Sequence, residues 1–384
     1  MDKREASTHT PLPVSVCLCC HLAAGGPRTH CPMSGRRVGF CLSDKKRRRM
    51  NLDAFADFCA AHGVEVVEID LSQPLVPQGP FDVIVHKLSD VIVEAEHDSQ
   101  SQKLLSNFQT YVSTHPSTVL LDPLPAMTQL LDRFASYRIM SKLHNSLRDW
   151  RICSPPYLEI HSASDLSSIQ QAVMAQGLSF PLICKTRVAH GSLSHECLCN
   201  PCVLQMSLIF SAGSLADIHP PCVLQSFVNH GAVLHKVFVV GDKHFCVERP
   251  SLKNFPSGPC DRKTIFFNSH QVSKPESSSD LTALDEQMPC LPPPSSQAVA
   301  ALVRELRVQL GMALFGVDVI INIHTHTLTV IDINIFPGYE GVPQFFSSLL
   351  GHIESVLDKQ TSACPRATCS PKTTQTTGGP SAAL

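Results

Sequence analysis

Leu314-Phe-Gly-Val-Asp-Val-Ile-Ile-Asn-Ile-His-Thr-His-Thr-Leu-Thr-Val-Ile-Asp-Ile-Asn-Ile335 is the stretch on which the fold turns. Two apolar, β-branched runs, 314–322 and 328–335, flank a polar turn at His324, Thr325 and His326, which is the pattern of a β-hairpin. A turn centred on Thr325 pairs residues equidistant from it, so Asp318 faces Asp332, with Cβ atoms about 5 Å apart. Asn334 lies two positions beyond Asp332 and shares its face. Opposed carboxylates repel, and the repulsion grows as water is removed. A divalent cation resolves it. Two carboxylates and an amide oxygen are hard ligands that suit Mg²⁺, whose remaining positions go to water and nucleotide phosphates. A solvated hairpin face with unrelated acids stands beside that reading.

Working outward, residues 37–43 read as a buried strand, and Asn51 as the cap of a helix with Leu52, Phe55, Ala56 and Cys59 on one face and Gly63 at its end. Strands at 64–70 and 81–86 complete a βαβ unit with a partner, hence a parallel sheet. A strand at 118–122 ends at Pro123 and Pro125, and 126–145 is helical. Strands at 157–160, 180–187, 223–227, 232–240 and 243–248, with a helix at 165–176, make a sheet-rich middle. Val299, Leu302, Val303, Leu306 and Leu310 mark an amphipathic helix, and a last helix spans 342–357. The Ser- and Pro-rich stretch 272–294 reads as a loop. The class is α/β. Its division is an extension at 1–34 with Met33 as a second candidate start, a parallel-sheet domain at 35–125, a central lobe at 126–226, a C-terminal lobe at 227–360 and a tail at 361–384.

The cations leave alternatives open. Lys185 closes the apolar run 180–184, either to hold nucleotide phosphates or because it emerges at a strand end. Arg133, after a proline-bounded turn, offers a bidentate fork to phosphate or is a surface arginine. Lys45 to Arg49 follow the first strand, where parallel sheets bind ligands, and a solvated charge run or a nuclear-import patch competes with that reading. His190 and His195 flank Gly191 as structural or binding groups. Cys197, Cys199 and Cys202 lack the second paired cluster that a zinc site needs, and His324 with His326 suits a tight turn better than a metal. There is no P-loop, so any nucleotide site is built from strands and side chains.

Composition narrows the classes. A net charge of -2 argues against a general nucleic-acid or membrane-surface binder. No apolar run approaches the ~20 residues of a membrane helix. The 17 cysteines, scattered through strands, read as reduced thiols in a cytoplasmic protein with nuclear access open.

Five segments together carry a resemblance: Arg37-Val-Gly-Phe-Cys-Leu-Ser-Asp-Lys-Lys46, Asp122-Pro-Leu-Pro125, Lys185-Thr-Arg-Val-Ala-His-Gly191, Arg249-Pro-Ser-Leu-Lys-Asn254 and Asp332-Ile-Asn-Ile-Phe-Pro-Gly-Tyr-Glu-Gly341. Over residues 35–360 the chain resembles the inositol 1,3,4-trisphosphate 5/6-kinase family, also called inositol-tetrakisphosphate 1-kinases. The resemblance implies an ATP-grasp fold with an N-terminal α/β domain, acting as a monomer. Arg133, Lys185, Gln225, Lys236, Ser251, Ser269 and Ser273 then contact ATP, with 225–236 lining the cleft. Lys46, His195, Lys236, Asn334 and Gly338 grip the inositol polyphosphate, and Asp318, Asp332 and Asn334 hold two Mg²⁺ ions. Lys236 and Asp332 are the catalytic candidates. The implied reaction carries the ATP γ-phosphoryl group to position 1 of inositol 3,4,5,6-tetrakisphosphate, or to position 5 or 6 of inositol 1,3,4-trisphosphate.

One departure stands out. About nine residues after Glu196, 197–205, look inserted, and Pro-Cys-Val-Leu-Gln at 201–205 recurs at 221–225. An ATP-grasp carboxylate-amine ligase shares the lysine, the paired acids and the asparagine. A binding protein whose catalysis the insert has disabled is the non-enzymatic alternative.

Overall fold

Val38, Phe40 and the whole run Val83–His86 are buried, so the first strands are covered on both faces, as parallel strands are. In the computed structural model, which describes residues 35–188, 206–283 and 291–363, these strands are β1 (Arg36–Cys41) and β3 (Val83–His86). With β2 (Val64–Glu68) and β4 (Val119–Leu121) they form an all-parallel sheet in the order β2-β1-β3-β4. The chain leaves β1 for β2 on one side and returns to β3 on the other. The carboxyl ends of β1 and β3 therefore frame the crevice where open α/β sheets bind ligands.

The Lys45 to Arg49 run is a helix rather than a loop, α1 (Asp44–Met50). Ser43 caps it by accepting from the Lys46 N–H, and Arg47, Arg48 and Arg49 fill the last turn, where the helix dipole favours cations. Asn51 does not cap α2 (Leu52–Ala60) through its side chain as expected. It takes a left-handed φ of 53° and donates its N–H to the carbonyls of Arg47 and Arg48, ending α1. Leu52, Phe55 and Cys59 are buried along α2. Two further helices, α3 (Ser89–Glu94) and α4 (Ser99–Thr114), separate β3 from β4. The helix expected over 126–145 is two: α5 (Leu124–Thr128), and α6 (Arg133–Leu147), whose start Asp132 caps by accepting from the Phe134 N–H.

The remaining elements are β5 (Ile152–Cys153), β6 (Tyr157–Ile160), α7 (Leu166–Ala175), β7 (Leu182–Thr186), β8 (Met206–Ile209), β9 (Cys222–Ser226), β10 (Val233–Val240), β11 (Lys243–Pro250), β12 (Ile265–Phe267), α8 (Ser269–Val272), α9 (Ser296–Leu310), β13 (Leu314–Ile321), β14 (Leu328–Ile335) and α10 (Phe345–Ala363). They build two sheets, β12-β8-β7-β9-β6 and β11-β10-β13-β14-β5. The sheets do not follow a boundary at 226: β5 pairs with β14, and β12 pairs with β8. Helix α10 runs past residue 360, to Ala363.

One continuous core joins the N-terminal sheet to the C-terminal one, with Phe40, Phe55, Tyr137, Val237, Leu302, Val317 and Leu349 among its members. The central sheet has cores of its own, around Leu182, Ile209 and Leu224 on one face and Phe210, Leu252 and Phe255 on the other. Among the described residues no helix is long and apolar enough to cross a membrane.

Candidate active site

Strand β13 places Asp318 directly opposite Asp332 of β14, and Gly316 opposite Asn334, in the expected register. On the turn side the register slips by one, because Val319 pairs with Val330. Ile331 is thus the extra residue of a β-bulge, a device that re-aims groups beside active sites. Its carbonyl accepts from Lys185 Nζ at 2.9 Å. On the other flank β10 sets Lys236 opposite Asp318, with Nζ 2.9 Å from both carboxylate oxygens. Lysine, aspartate and aspartate therefore stand in a row across three strands, and the ammonium offsets one of the two negative charges.

Lys185 is 5% exposed and lies 5.3 Å from the Tyr137 ring centroid. Burial lowers its pKa to about 8, opposed by Asp332 and Asp318 and assisted by Arg133. Arg133 opens α6; its guanidinium donates to the Thr186 carbonyl and its backbone N–H to that of Arg187, at 2.9 Å. The helix start and the end of β7 are thereby joined. Gln225, 3% exposed, accepts from the Tyr137 hydroxyl at 2.8 Å, while its buried Nε2 has no protein partner. An amide donor buried in that way needs an acceptor from elsewhere.

His230 Nδ1 lies 2.7 Å from the Val228 carbonyl, and a carbonyl only accepts, so Nδ1 carries the proton and Nε2 accepts from Ser251 Oγ at 2.7 Å. Burial drives the His230 pKa down to about 4, which keeps the ring neutral. Ser251 thus spends its own hydrogen and offers lone pairs. Ser269 and Ser273 bound α8, and His270 between them feels the charges of Arg49, Lys236, Lys45 and Asp318.

At the carboxyl end of β1, Lys46 is 5% exposed and donates to the Pro337 carbonyl; Gly338 is the next residue of that loop. Arg249, at the end of β11, donates to the Glu340 carbonyl at 2.6 Å. Lys87, directly after β3, is half-buried within range of the charges of Asp90, Arg49, Lys45 and Glu340, and stands close enough to Lys46 to lower that ammonium's pKa further. The two lysines flank the crevice between β1 and β3. A groove of about 660 Å³ between α3 and α4, lined by Ile92, Ser99, Lys103 and Asn107, holds none of these groups.

The family models of the inositol 1,3,4-trisphosphate 5/6-kinase pre-ATP-grasp domain and ATP-grasp domain match residues 37–127 and 146–355. The chain belongs to the inositol 1,3,4-trisphosphate 5/6-kinase family. Inositol-tetrakisphosphate 1-kinase of Danio rerio is 51% identical over 329 residues, 85% of this chain and 81% of that one. The Xenopus laevis enzyme of the same name is 50% identical over 328 residues, 85% and 80% of the two chains. Inositol-tetrakisphosphate 1-kinase 3 of Oryza sativa subsp. indica is 36% identical over 324 residues, 84% and 83%. Among solved structures, D-cycloserine synthetase DcsG superposes with a TM-score of 0.51 at 12% identity, covering 84% of this chain and 99% of that one. D-alanyl-alanine synthetase A from Vibrio cholerae gives 0.50 at 10%, covering 85% and 99%. At such identities these two show the fold alone. Membership in the 5/6-kinase family makes the chain an inositol phosphate kinase of ATP-grasp architecture.

Of the site residues implied for a 5/6-kinase, Asp318, Asp332, Asn334, Lys236 and Lys185 stand on or against one hairpin. Lys46 reaches from the N-terminal sheet to the Pro337 carbonyl, one residue before Gly338, in the loop that leaves the C-terminal sheet. His195, the cysteines at 197, 199 and 202 and the insert 197–205 lie outside the described residues. Lys87 and Tyr137 were not singled out from the sequence. Lys87 had a signal, since it follows a buried strand adjacent to the one that leads to Lys46; Tyr137 had none, because its role depends on β7 and β9 packing over α6. The oxygen set Asp318, Asp332 and Asn334 fits magnesium, and among the described residues no group of three or more His, Cys, Asp or Glu is arranged to hold a metal. Two acids and an amide leave coordination positions for phosphate oxygens.

Proposed function

We propose that this kinase transfers the ATP γ-phosphoryl group to position 1 of inositol 3,4,5,6-tetrakisphosphate and to position 5 or 6 of inositol 1,3,4-trisphosphate. The observation that carries the reading is the Lys236–Asp318–Asp332 row, with the buried Lys185 bonded to the Ile331 carbonyl of the same hairpin and Lys46, beside Lys87, bonded to the Pro337 carbonyl of the loop that leaves it. Arg133, Lys185, Gln225, Ser251, Ser269 and Ser273 take the nucleotide. Ser251, its hydrogen committed to His230, accepts from a donor such as a ribose hydroxyl. Lys46, Lys87, His195, Lys236, Asn334 and Gly338 take the acceptor.

Asp318, Asp332 and Asn334 would hold two Mg²⁺ ions, which neutralise phosphate oxygens when bound. The lysines orient donor and acceptor and stabilise the charge that spreads over the transferred group. A loose transition state asks little of a general base, and none is assigned. The cation-lined crevice favours a polyphosphate over the carboxylate acceptor of a ligase. The kinase acts as a monomer, a reading that rests on the resemblance and that sedimentation tests, in the cytoplasm, a reading that rests on its thiols and that imaging of the tagged full chain tests.

The decisive experiment incubates the purified full-length chain with Mg²⁺, labelled ATP and each inositol phosphate, with chromatography of the products. Label entering inositol tris- and tetrakisphosphates is expected; no ATP consumption with any inositol phosphate would sink the assignment.

A further inference from the structure

Lys46 sits in surroundings that disfavour an ammonium. It is almost fully buried, and Lys87 and Arg49 push against its charge while, among the described residues, only Glu340, whose side chain is half-exposed, attracts it. Its neighbours within reach are instead two ring faces and a carbonyl. Nζ lies 3.7 Å from the Phe336 centroid and 5.5 Å from that of Tyr339, and donates to Pro337 O between them. Such distances are those of cation–π contacts.

The rings are held there by their backbone and by packing. Phe336 has a φ of 33° and Tyr339 one of 59°, a region that bulky side chains rarely adopt. The Tyr339 hydroxyl donates to Val239 O at 2.7 Å, and its ring stacks on Phe345 with centroids 4.4 Å apart. The Phe336 N–H donates to Leu314 O at 3.0 Å. The loop that leaves the Asp332 and Asn334 strand is thereby pinned to two other strands and a helix.

We propose that Phe336 and Tyr339 are positioning residues: an aromatic half-cage that fixes the Lys46 ammonium for the acceptor phosphate. The assignment rests on the reading that Lys46 grips the acceptor, and deepens it. A carboxylate in the same place would hold the lysine but cancel its charge. Ring quadrupoles attract the ammonium without neutralising it, so the full positive charge stays available to a phosphate. Strand β14 thus sets two of the three metal-type oxygen groups, Asp332 and Asn334, and, through its exit loop, the acceptor-binding lysine of the N-terminal domain.

The test replaces Phe336 in the full-length chain with mono-, di- and trifluorophenylalanine, which keep the ring's shape and weaken its quadrupole stepwise. Trifluorophenylalanine at the buried Phe315 is the control. Labelling of Lys46 by an amine reagent, followed by mass spectrometry, should accelerate with each fluorine at 336 and not at 315. The Kd for inositol 1,3,4-trisphosphate, by calorimetry, should weaken by roughly 3- to 30-fold across the series with the ATP Kd unchanged. Labelling that ignores fluorination, or acceptor binding that stays level or tightens, overturns the cage. Failure of the acceptor reading appears separately, as no turnover of inositol phosphates by the unsubstituted protein while the labelling series still responds.

Discussion

Lys185 is held inside the protein by a carbonyl and a ring face, and burial brings its pKa down from 10.5 to about 8. For a base with a depressed folded pKa, the unfolded chain binds the extra proton between those values. Its stability contribution is therefore full above 10.5 and lost as pH falls toward 8. Nucleotide binding runs the other way, because phosphates need the charged form. ATP affinity should fall as pH rises above 8, with proton uptake on binding, and Lys185→Met should flatten both; calorimetry in buffers of different ionisation heat measures this. Asp332 is different in kind: partly exposed, it accepts only from the adjacent Ile333 N–H among the hydrogen bonds described. Asp332→Ala should cut turnover more than ~100-fold, beyond the loss typical of groups one shell further from a metal, while the thermal midpoint holds. A collapsed midpoint would make it a structural residue instead. Both aspartates were legible from spacing about Thr325, although the register at the turn itself is one residue off and reaches their pairing only through the bulge at Ile331.

Strand β14 shows how an element departs from its sequence pattern. Equal spacing about Thr325 correctly opposed Asp318 to Asp332, yet the bulge at Ile331 left no mark in the alternation, since an extra isoleucine in an apolar run looks like any other. Deleting Ile331 should regularise the hairpin and keep the two acids opposed. Lys185 would then lose its carbonyl, and ATP should bind about 10- to 100-fold more weakly, as expected for a hydrogen bond to a charged group. Unchanged ATP affinity in the deletion variant, measured by calorimetry, would show that the bulge has no part in the site. Helix α1 is the opposite case, with every local signal present: a serine cap, an acid in the first turn and arginines in the last. A run of five cations nonetheless lacks the apolar spacing by which helices are usually recognised, so the sequence reading assigned it no helix.

Across the whole molecule the N-terminal and C-terminal sheets share one core, and Asp122 rivets them. Its buried carboxylate accepts from the Ala313 and Leu314 N–H groups at 2.8 and 2.9 Å, at the root of the strand that carries Asp318. Asp122→Ala strands two buried donors and should cost about 2–5 kcal/mol in a urea melt, with Asp122→Asn intermediate. The insert 197–205 falls wholly between β7 and β8, so its deletion should leave the melt unchanged, and assay of both forms shows whether it affects turnover. Loss of folding on deletion would instead make it part of the central lobe. The sequence by itself determined the α/β class, the parallel N-terminal sheet and the opposed aspartates, because strand periodicity and turn chemistry are local properties. Only the tertiary structure decided that β5 and β12 cross between sheets, that Lys87 joins Lys46, and that Phe336 and Tyr339 enclose it. Those contacts join residues far apart in the chain, and their partners are selected by which faces must be buried together, which local pattern does not encode.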